Sequence, residues 1–155
     1  MNIILTGFQG SGKTTCATLL ANRLSLPHFD TDALLLERFE VATISALFDA
    51  LGEKEFRLQE DQVLSELKSP YVLSLGGGAL RESARTMGCV VYLFLPKDKL
   101  RNNPGAAYLR NRSLEDLFNE RHDHYQRLCH HVIDNTDLAP EETVELILQK
   151  VGYGK

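Results

Sequence analysis

The sequence predicts an α/β fold, a parallel sheet covered by helices. Three observations carry that prediction. Short apolar runs alternate with longer segments whose apolar residues fall three or four apart. The run Cys89-Val90-Val91-Tyr92-Leu93-Phe94-Leu95 is apolar throughout, as is usual for a strand buried on both faces of a parallel sheet. The apolar Ile3-Ile4-Leu5 leads directly into Gly7-Phe8-Gln9-Gly10-Ser11-Gly12-Lys13-Thr14-Thr15, a glycine-rich turn followed by a helical pattern.

Taken in order, strands are expected at Asn2 to Thr6, Pro27 to Asp30, Tyr71 to Leu75, Cys89 to Leu95 and His131 to Asp134. Helices are expected between them: Lys13 to Leu24, Thr31 to Phe39, Thr43 to Leu51, Glu53 to Lys68, Leu80 to Met87, Ser113 to Cys129 and Pro140 to Val151. Gly52 and Pro70 punctuate their neighbours, because neither residue continues regular structure easily. Pro140 followed by Glu141 and Glu142 is a favourable helix start: proline lacks an amide hydrogen that would be orphaned there, and acids suit the positive end of the helix dipole. The stretch from Lys97 to Arg112 contains Asn102-Asn103-Pro104-Gly105, has weak periodicity and reads as a mobile loop inside one domain spanning residues 1–155.

Composition narrows the function classes. The chain has 155 residues, 43% hydrophobic and 25% charged, with a net charge of −4, as expected of one soluble globular domain. The acidic balance and the lack of a basic block argue against a nucleic-acid partner. No apolar run approaches the roughly 20 residues of a membrane span, so no membrane partner is expected. The start of the chain enters a strand without a signal-like segment, and a cytoplasmic location is the expectation. Three scattered cysteines, Cys16, Cys89 and Cys129, suggest reduced thiols rather than a disulfide framework. Cys16 and Cys89 are expected to be buried as small hydrophobes. His122, His124, His130 and His131 lack a zinc-like partner set and are expected to be solvated or to act as caps.

The chemistry begins with the loop at Gly7 to Thr15, which fits G-x-x-x-x-G-K-[ST]. Its amides, those of Gly10, Ser11, Gly12, Lys13, Thr14 and Thr15 among them, are expected to cradle phosphates at the start of a helix. Lys13 can reach the β- and γ-phosphates, and the Thr14 hydroxyl is placed to ligate Mg²⁺. A second cluster, His28-Phe29-Asp30-Thr31-Asp32, closes the second strand. In α/β sheets ligands bind at the carboxyl ends of strands. One acid there can hold a metal's water shell, and the other can accept a hydrogen bond or a proton from an attacking hydroxyl. Asp30 or Thr31 can equally cap the following helix. Gly52-Glu53-Lys54-Glu55-Phe56-Arg57-Leu58-Gln59-Glu60 alone reads as a charged helix surface on which Glu60 can hold Arg57. Gly76-Gly77-Gly78 follows an apolar run and can present amides to a ligand or simply make a tight turn.

Together these motifs resemble the shikimate kinase family. The match covers most of the chain: the phosphate loop at 7–15, Phe-Asp-Thr-Asp at 29–32, Gly-Glu-x-x-Phe-Arg-x-x-Glu at 52–60, Gly-Gly-Gly at 76–78 and Glu-Arg-x-x-x-Tyr at 120–125. The resemblance implies a three-layer α/β/α P-loop kinase fold with a five-stranded parallel sheet and a mobile lid at about 97–112. It implies transfer of the γ-phosphoryl of ATP to the 3-hydroxyl of shikimate, with Mg²⁺, on the route to chorismate and the aromatic amino acids. ATP and shikimate are then the partners, and a monomer is expected. Asp32 matches the acid at the reacting hydroxyl, a positioner and base. Asp30 matches the acid that reaches the metal through water. Arg57 and Arg121 match the pair that binds the substrate carboxylate, with Gly76, Gly77 and Gly78 lining the same pocket and Glu60 orienting Arg57. Pro140 matches the loop that packs on adenine.

The chain departs from the family pattern over the lid, where many relatives carry R-P-L-L and this sequence has Asn103 before Pro104. Arg101 resembles the arginine at the lid's start, near the adenine. Arg110 or Arg112 is the candidate to bring a cation onto the phosphates, and Arg110 is taken as the catalytic one. A gluconate-type or nucleoside monophosphate kinase, or a nucleotide-binding module without catalysis, are the alternative functions.

Overall fold

In a computed structural model, residues 2–8, 10–76, 79–99 and 114–152 are described. Five strands make one parallel sheet: β1 (Ile3–Thr6), β2 (His28–Asp30), β3 (Val72–Ser74), β4 (Cys89–Phe94) and β5 (His131–Asp134), in the order β2-β3-β1-β4-β5. The described residues also form helices α1 (Lys13–Leu24), α2 (Thr31–Phe39), α3 (Ile44–Leu51), α4 (Glu53–Ser65), α5 (Glu82–Arg85), α6 (Leu114–Leu128) and α7 (Pro140–Val151). Lys97–Lys99 make a single 3₁₀ turn at the start of the expected lid, and residues 100–113 lie outside the described residues.

The pleat sorts the core into two faces. Ile3, Leu5, Val72, Val91, Leu93 and Ile133 pack against Cys16, Ala17 and Leu20 of α1 and Val144, Ile147 and Leu148 of α7. The alternate residues Ile4, Leu73, Val90 and Tyr92 face Ala84 of α5 and Phe118, Tyr125 and Leu128 of α6. Both faces of the central strands are therefore covered, and β1 and β4 read as continuous apolar runs rather than alternating ones, while the edge strands β2 and β5 carry polar and exposed residues. A satellite cluster of Leu35, Leu47, Phe48, Phe56 and Val63 joins α2, α3 and α4 beside the β2 edge.

The expected elements form, with trimmed ends. The segment from Leu80 to Met87 yields only the four-residue α5, and α4 stops at Ser65 instead of Lys68. Thr43 and Asp30 cap α3 and α2: their side chains accept from the amides of Ala46 and Ala33 at 3.1 Å each. Pro140 opens α7, and the Glu142 carboxylate accepts from the Ala139 amide at 2.9 Å.

The histidines depart from the expectation. The Tyr92 hydroxyl and His122 Nδ1 are 2.8 Å apart, and His124 Nε2 lies 2.6 Å from the Leu80 carbonyl. The Val90 amide donates to His130 Nδ1 at 2.9 Å, while the His130 amide donates back to the Val90 carbonyl at 2.8 Å. The His122 and His130 bonds thus tie α6 and the approach to β5 onto β4, and His124 ties α6 to the turn before α5. Cys16 is buried as expected, whereas Cys89, at the start of β4, is only partly covered. Among the described residues no helix is long and apolar enough to cross a membrane.

Candidate active site

The carboxyl ends of β1, β2 and β3 meet at one point, where the glycine-rich loop after β1 turns into α1. Gly12 sits at the N-cap with φ +94° and ψ 11°, a left-handed conformation that suits glycine, and leaves the first amides of α1 pointing outward. At Gly7 a side chain has no room: an added Cβ would lie 2.8 Å from the Leu93 carbonyl oxygen and 2.9 Å from Ser11 Oγ. Underneath, Phe8 stacks on Phe118 of α6 with centroids 4.9 Å apart and meets Tyr125 edge-on at 5.3 Å. The loop is thereby anchored to α6 through its one aromatic side chain. On its other flank the Asn135 amide nitrogen donates to the Ser11 carbonyl at 2.8 Å, and Asn135 Oδ1 accepts from the buried Thr143 hydroxyl.

Lys13 turns back over the loop and bridges two strands. Its Nζ donates to the Gly7 carbonyl at 2.7 Å and to the Leu75 carbonyl, just past β3, at 2.9 Å. Burial lowers its pKa to about 8, opposed by the charges of Asp32 and Asp30 and assisted by that of Arg121. Both carboxylates and a guanidinium from α6 therefore converge on this ammonium.

Asp30 has two engagements. Its Oδ1 caps α2 through Ala33, and its Oδ2 accepts from the Thr14 hydroxyl at 3.5 Å. The helix cap weighed from the sequence therefore forms, and the same carboxylate also meets the Thr14 hydroxyl. Thr31 ties the same corner down by donating to the Ser74 carbonyl at 3.2 Å.

Asp32 is the most perturbed acid. Burial, followed by the Asp30 charge, raises its pKa to about 6, against the pull of Lys13. Its Oδ1 is buried with no hydrogen-bond partner among the described residues. A Cβ on Gly76 would stand 2.6 Å from that oxygen, so the first glycine of the run is the residue that lets β3's end approach Asp32. Gly77 and Gly78 lie outside the described residues, as do Arg101, Arg110 and Arg112.

The segment at 52–60 is less of a surface than its charges suggest. Glu60 is fully buried, and its Oε1 accepts from Arg57 Nη1 at 2.6 Å. The Arg57 guanidinium lies over the Phe56 and Phe48 rings, 5.3 and 5.9 Å from their centroids. Arg121 on α6 hydrogen-bonds Tyr125, whose phenol also feels the charge of Arg57. Two guanidiniums from separate helices thus face the same side of the sheet end as Asp32. Pro140 lies on the opposite side, exposed at the first position of α7.

Two groups that the sequence did not single out belong to this architecture. Arg81 joins Glu60 from the loop after the glycines, at 3.4 Å. Asn135 ties the loop before α7 to the phosphate loop. Arg81 had one faint signal, the adjacent acids Glu60 and Asp61 on a helix with a single arginine. Asn135 had none, because its partner is a backbone carbonyl distant in sequence.

An anion cradle, a lysine, a hydroxyl–carboxylate pair, an unpaired buried carboxylate and two arginines suit phosphoryl transfer to an alcohol that carries a carboxylate. Comparison with known proteins agrees. The family described as "Shikimate kinase" matches residues 9–152. A shikimate kinase of Enterococcus faecalis is 35% identical over 97% of this chain and 98% of its own length. The crystal structure of shikimate kinase from Aquifex aeolicus superposes with a TM-score of 0.84 at 30% identity, covering 100% of both chains. That of Acinetobacter baumannii shikimate kinase in complex with shikimate gives 0.81 at 31% identity, over 99% of this chain and 94% of that one.

Proposed function

The chain belongs to the shikimate kinase family, and from that premise we propose that it transfers the γ-phosphoryl group of ATP to the 3-hydroxyl of shikimate. The products are shikimate 3-phosphate and ADP, on the route to chorismate and the aromatic amino acids. The observation that carries the assignment is the Asp32 carboxylate, whose buried Oδ1 has no partner among the described residues and which lies within the fields of Lys13 and Arg57.

In this mechanism the amides of Gly10, Ser11, Gly12, Lys13, Thr14 and Thr15 hold the triphosphate, and the Lys13 ammonium leaves its carbonyl partners for the transferring phosphoryl group. Phosphate oxygens nearby restore the proton that burial makes Lys13 hold less firmly. Arg57 and Arg121 take the shikimate carboxylate, and Glu60 keeps Arg57 in place. The reacting hydroxyl donates to Asp32. That carboxyl has a pKa near the operating pH, so it can orient the hydroxyl early and accept its proton late, as a loose phosphoryl transfer requires.

The Thr14 hydroxyl and Asp30 carboxylate, 3.5 Å apart, are hard oxygen donors of the kind Mg²⁺ takes. Thr14 would hold the ion directly and Asp30 through water. Held there, Mg²⁺ would supply positive charge to offset that of the nucleotide's phosphates. Pro140 packs on the adenine, and Arg101 and Arg110 remain the candidates for closing the site from above. We take the protein to act as a cytoplasmic monomer.

A coupled assay for ADP with ATP, Mg²⁺ and a panel of acceptors tests the proposal. Shikimate should drive ADP release, EDTA should stop it, and phosphorus NMR should show a phosphate monoester of shikimate. A flat response to shikimate, alongside turnover with gluconate or a nucleoside monophosphate, would overturn it.

A further inference from the structure

Arg81 stands outside the roles just assigned, yet it makes more contacts with α4 than a surface arginine requires. It leaves the loop that begins at Gly76 and reaches across to one face of α4. Its Nη2 donates to Asp61 Oδ1 at 2.6 Å and to the Arg57 carbonyl at 3.3 Å, and its Nε donates to Asp61 Oδ1 at 3.2 Å. Its Nη1 donates to Glu60 Oε1 at 3.4 Å, the same oxygen that holds Arg57. Positions 57, 60 and 61 are spaced i, i+3 and i+4, so one planar guanidinium can engage all three.

The side chain is placed where two halves of the acceptor site must keep a fixed distance. At one end of its loop, Gly76 lies against Asp32, and the Leu75 carbonyl holds Lys13. At the other end, α4 carries Arg57. Arg81 supplies hydrogen bonds from this loop to the face of α4 bearing Arg57, beside the apolar cluster in which Ala79 and Leu80 sit with Leu64 of α4. Glu60 is fully buried and its Oε2 has no hydrogen-bond partner among the described residues, so its orientation depends on what Oε1 holds. With two guanidiniums on that oxygen, Glu60 is fixed from both sides and Arg57 is not its sole counter-charge.

We propose that Arg81 is a positioning residue for the acceptor: it clamps the Gly76 loop to α4 and, through the shared Glu60 carboxylate, sets the Arg57 guanidinium at its working distance from Asp32. This rests on the assignment of Arg57 to the acceptor's carboxylate. Arg81 itself touches no reacting atom.

The test compares wild type with Arg81→Ala and Arg81→Lys. Arg81→Ala should raise the KM for shikimate about tenfold while KM for ATP stays within about twofold and kcat falls less than about threefold. Arg81→Lys keeps a charge near Asp61 but gathers its donors on one nitrogen, which does not span the three acceptors as the planar guanidinium does, and should recover only part of the loss. An unchanged shikimate KM in Arg81→Ala overturns the proposal. So does a parallel rise in both KM values with a lowered melting temperature, which marks a merely structural role. Hydrogen exchange supplies a readout that needs no acceptor. The Ala79 amide, which donates to the Gly76 carbonyl, should exchange about tenfold faster in ligand-free Arg81→Ala, and equal exchange overturns the clamp. Should wild type prove inactive on shikimate, the functional assignment fails by itself and the exchange comparison still decides the clamp.

Discussion

Replacing Asp32 by Asn should make the ligand-free protein more stable at neutral pH, and the gain should fade in acid. Burial and the neighbouring Asp30 charge raise the Asp32 pKa from 3.8 to about 6. A carboxyl whose pKa rises on folding binds its proton more tightly in the native than in the unfolded chain. Above about pH 6 that proton is gone, and the native state bears the cost of a buried charge. Below about pH 4 both states are protonated and the cost vanishes. The shift is about 2 units, worth roughly 3 kcal/mol at about 1.4 kcal/mol per unit. Asparagine is neutral at every pH and removes that cost. The attraction of Lys13 is already contained in that shift; part of the gain is lost again because the asparagine amide brings two N–H donors that must leave water. The net gain should be about 1–2 kcal/mol at pH 7.5 and near zero at about pH 4. Urea denaturation followed by circular dichroism across that range measures it. A variant less stable than wild type at pH 7.5, or a difference that does not change with pH, refutes the burial argument. In the same protein turnover should fall by about a hundredfold or more while ATP affinity holds within a few fold.

Gly7→Ala should cost about 2 kcal/mol or more, because its Cβ would meet the Leu93 carbonyl at 2.8 Å at a φ of +149°; a thermal melt at wild-type temperature would contradict this. Asn135→Ala removes the donor to Ser11 and leaves the buried Thr143 hydroxyl with the longer bond to the Ala139 carbonyl. It should lower stability by about 1–3 kcal/mol and weaken ATP binding in calorimetry without changing the acceptor KM. Tyr125→Phe takes away the phenol oxygen that Arg121 holds. It should raise the shikimate KM severalfold, about 1 kcal/mol, with ATP binding unaffected; an unchanged value would show that Arg121 holds its place without the tyrosine.

Local signals were strong where the physics is local. The glycine-rich turn, the apolar run at 89–95 and the Pro140-Glu141-Glu142 start each depend on a few neighbouring residues, and the corresponding elements form close to the expected bounds. The capping alternatives at Asp30 were also visible, because a cap is a three-residue event. What the sequence hid was burial and distant partners. Glu60 lies in a charged stretch and looks solvated, yet it is fully buried because Phe48 and Phe56 cover that side of α4 and two arginines neutralise it. The histidines at 122, 124 and 130 looked like surface residues, because nothing in their spacing announces Tyr92, Leu80 or Val90 as partners. The resemblance of ordered motifs supplied the acceptor-site roles that spacing alone left open, as with Arg57 and Arg121, which come from helices far apart in the chain. Arg101 and Arg110 fall where the sequence departs from the family, and they lie outside the described residues.

The strand order also bears on how this scaffold can diverge. With β1 in the middle, β3 and β2 lie to one side and β4 and β5 to the other. On the proposed assignment, most groups that choose the alcohol, Asp32, Arg57 and Gly76, hang from the β2–β3 half, with Arg121 reaching over from α6, while the loop serving the base follows β5. Drift in the β2–β3 half can alter which alcohol is phosphorylated and leave the grip on the nucleotide intact. Lys13 belongs to neither half. It spans the seam, bonded to the end of β3 and to the loop after β1, so a change there is felt by both substrates at once.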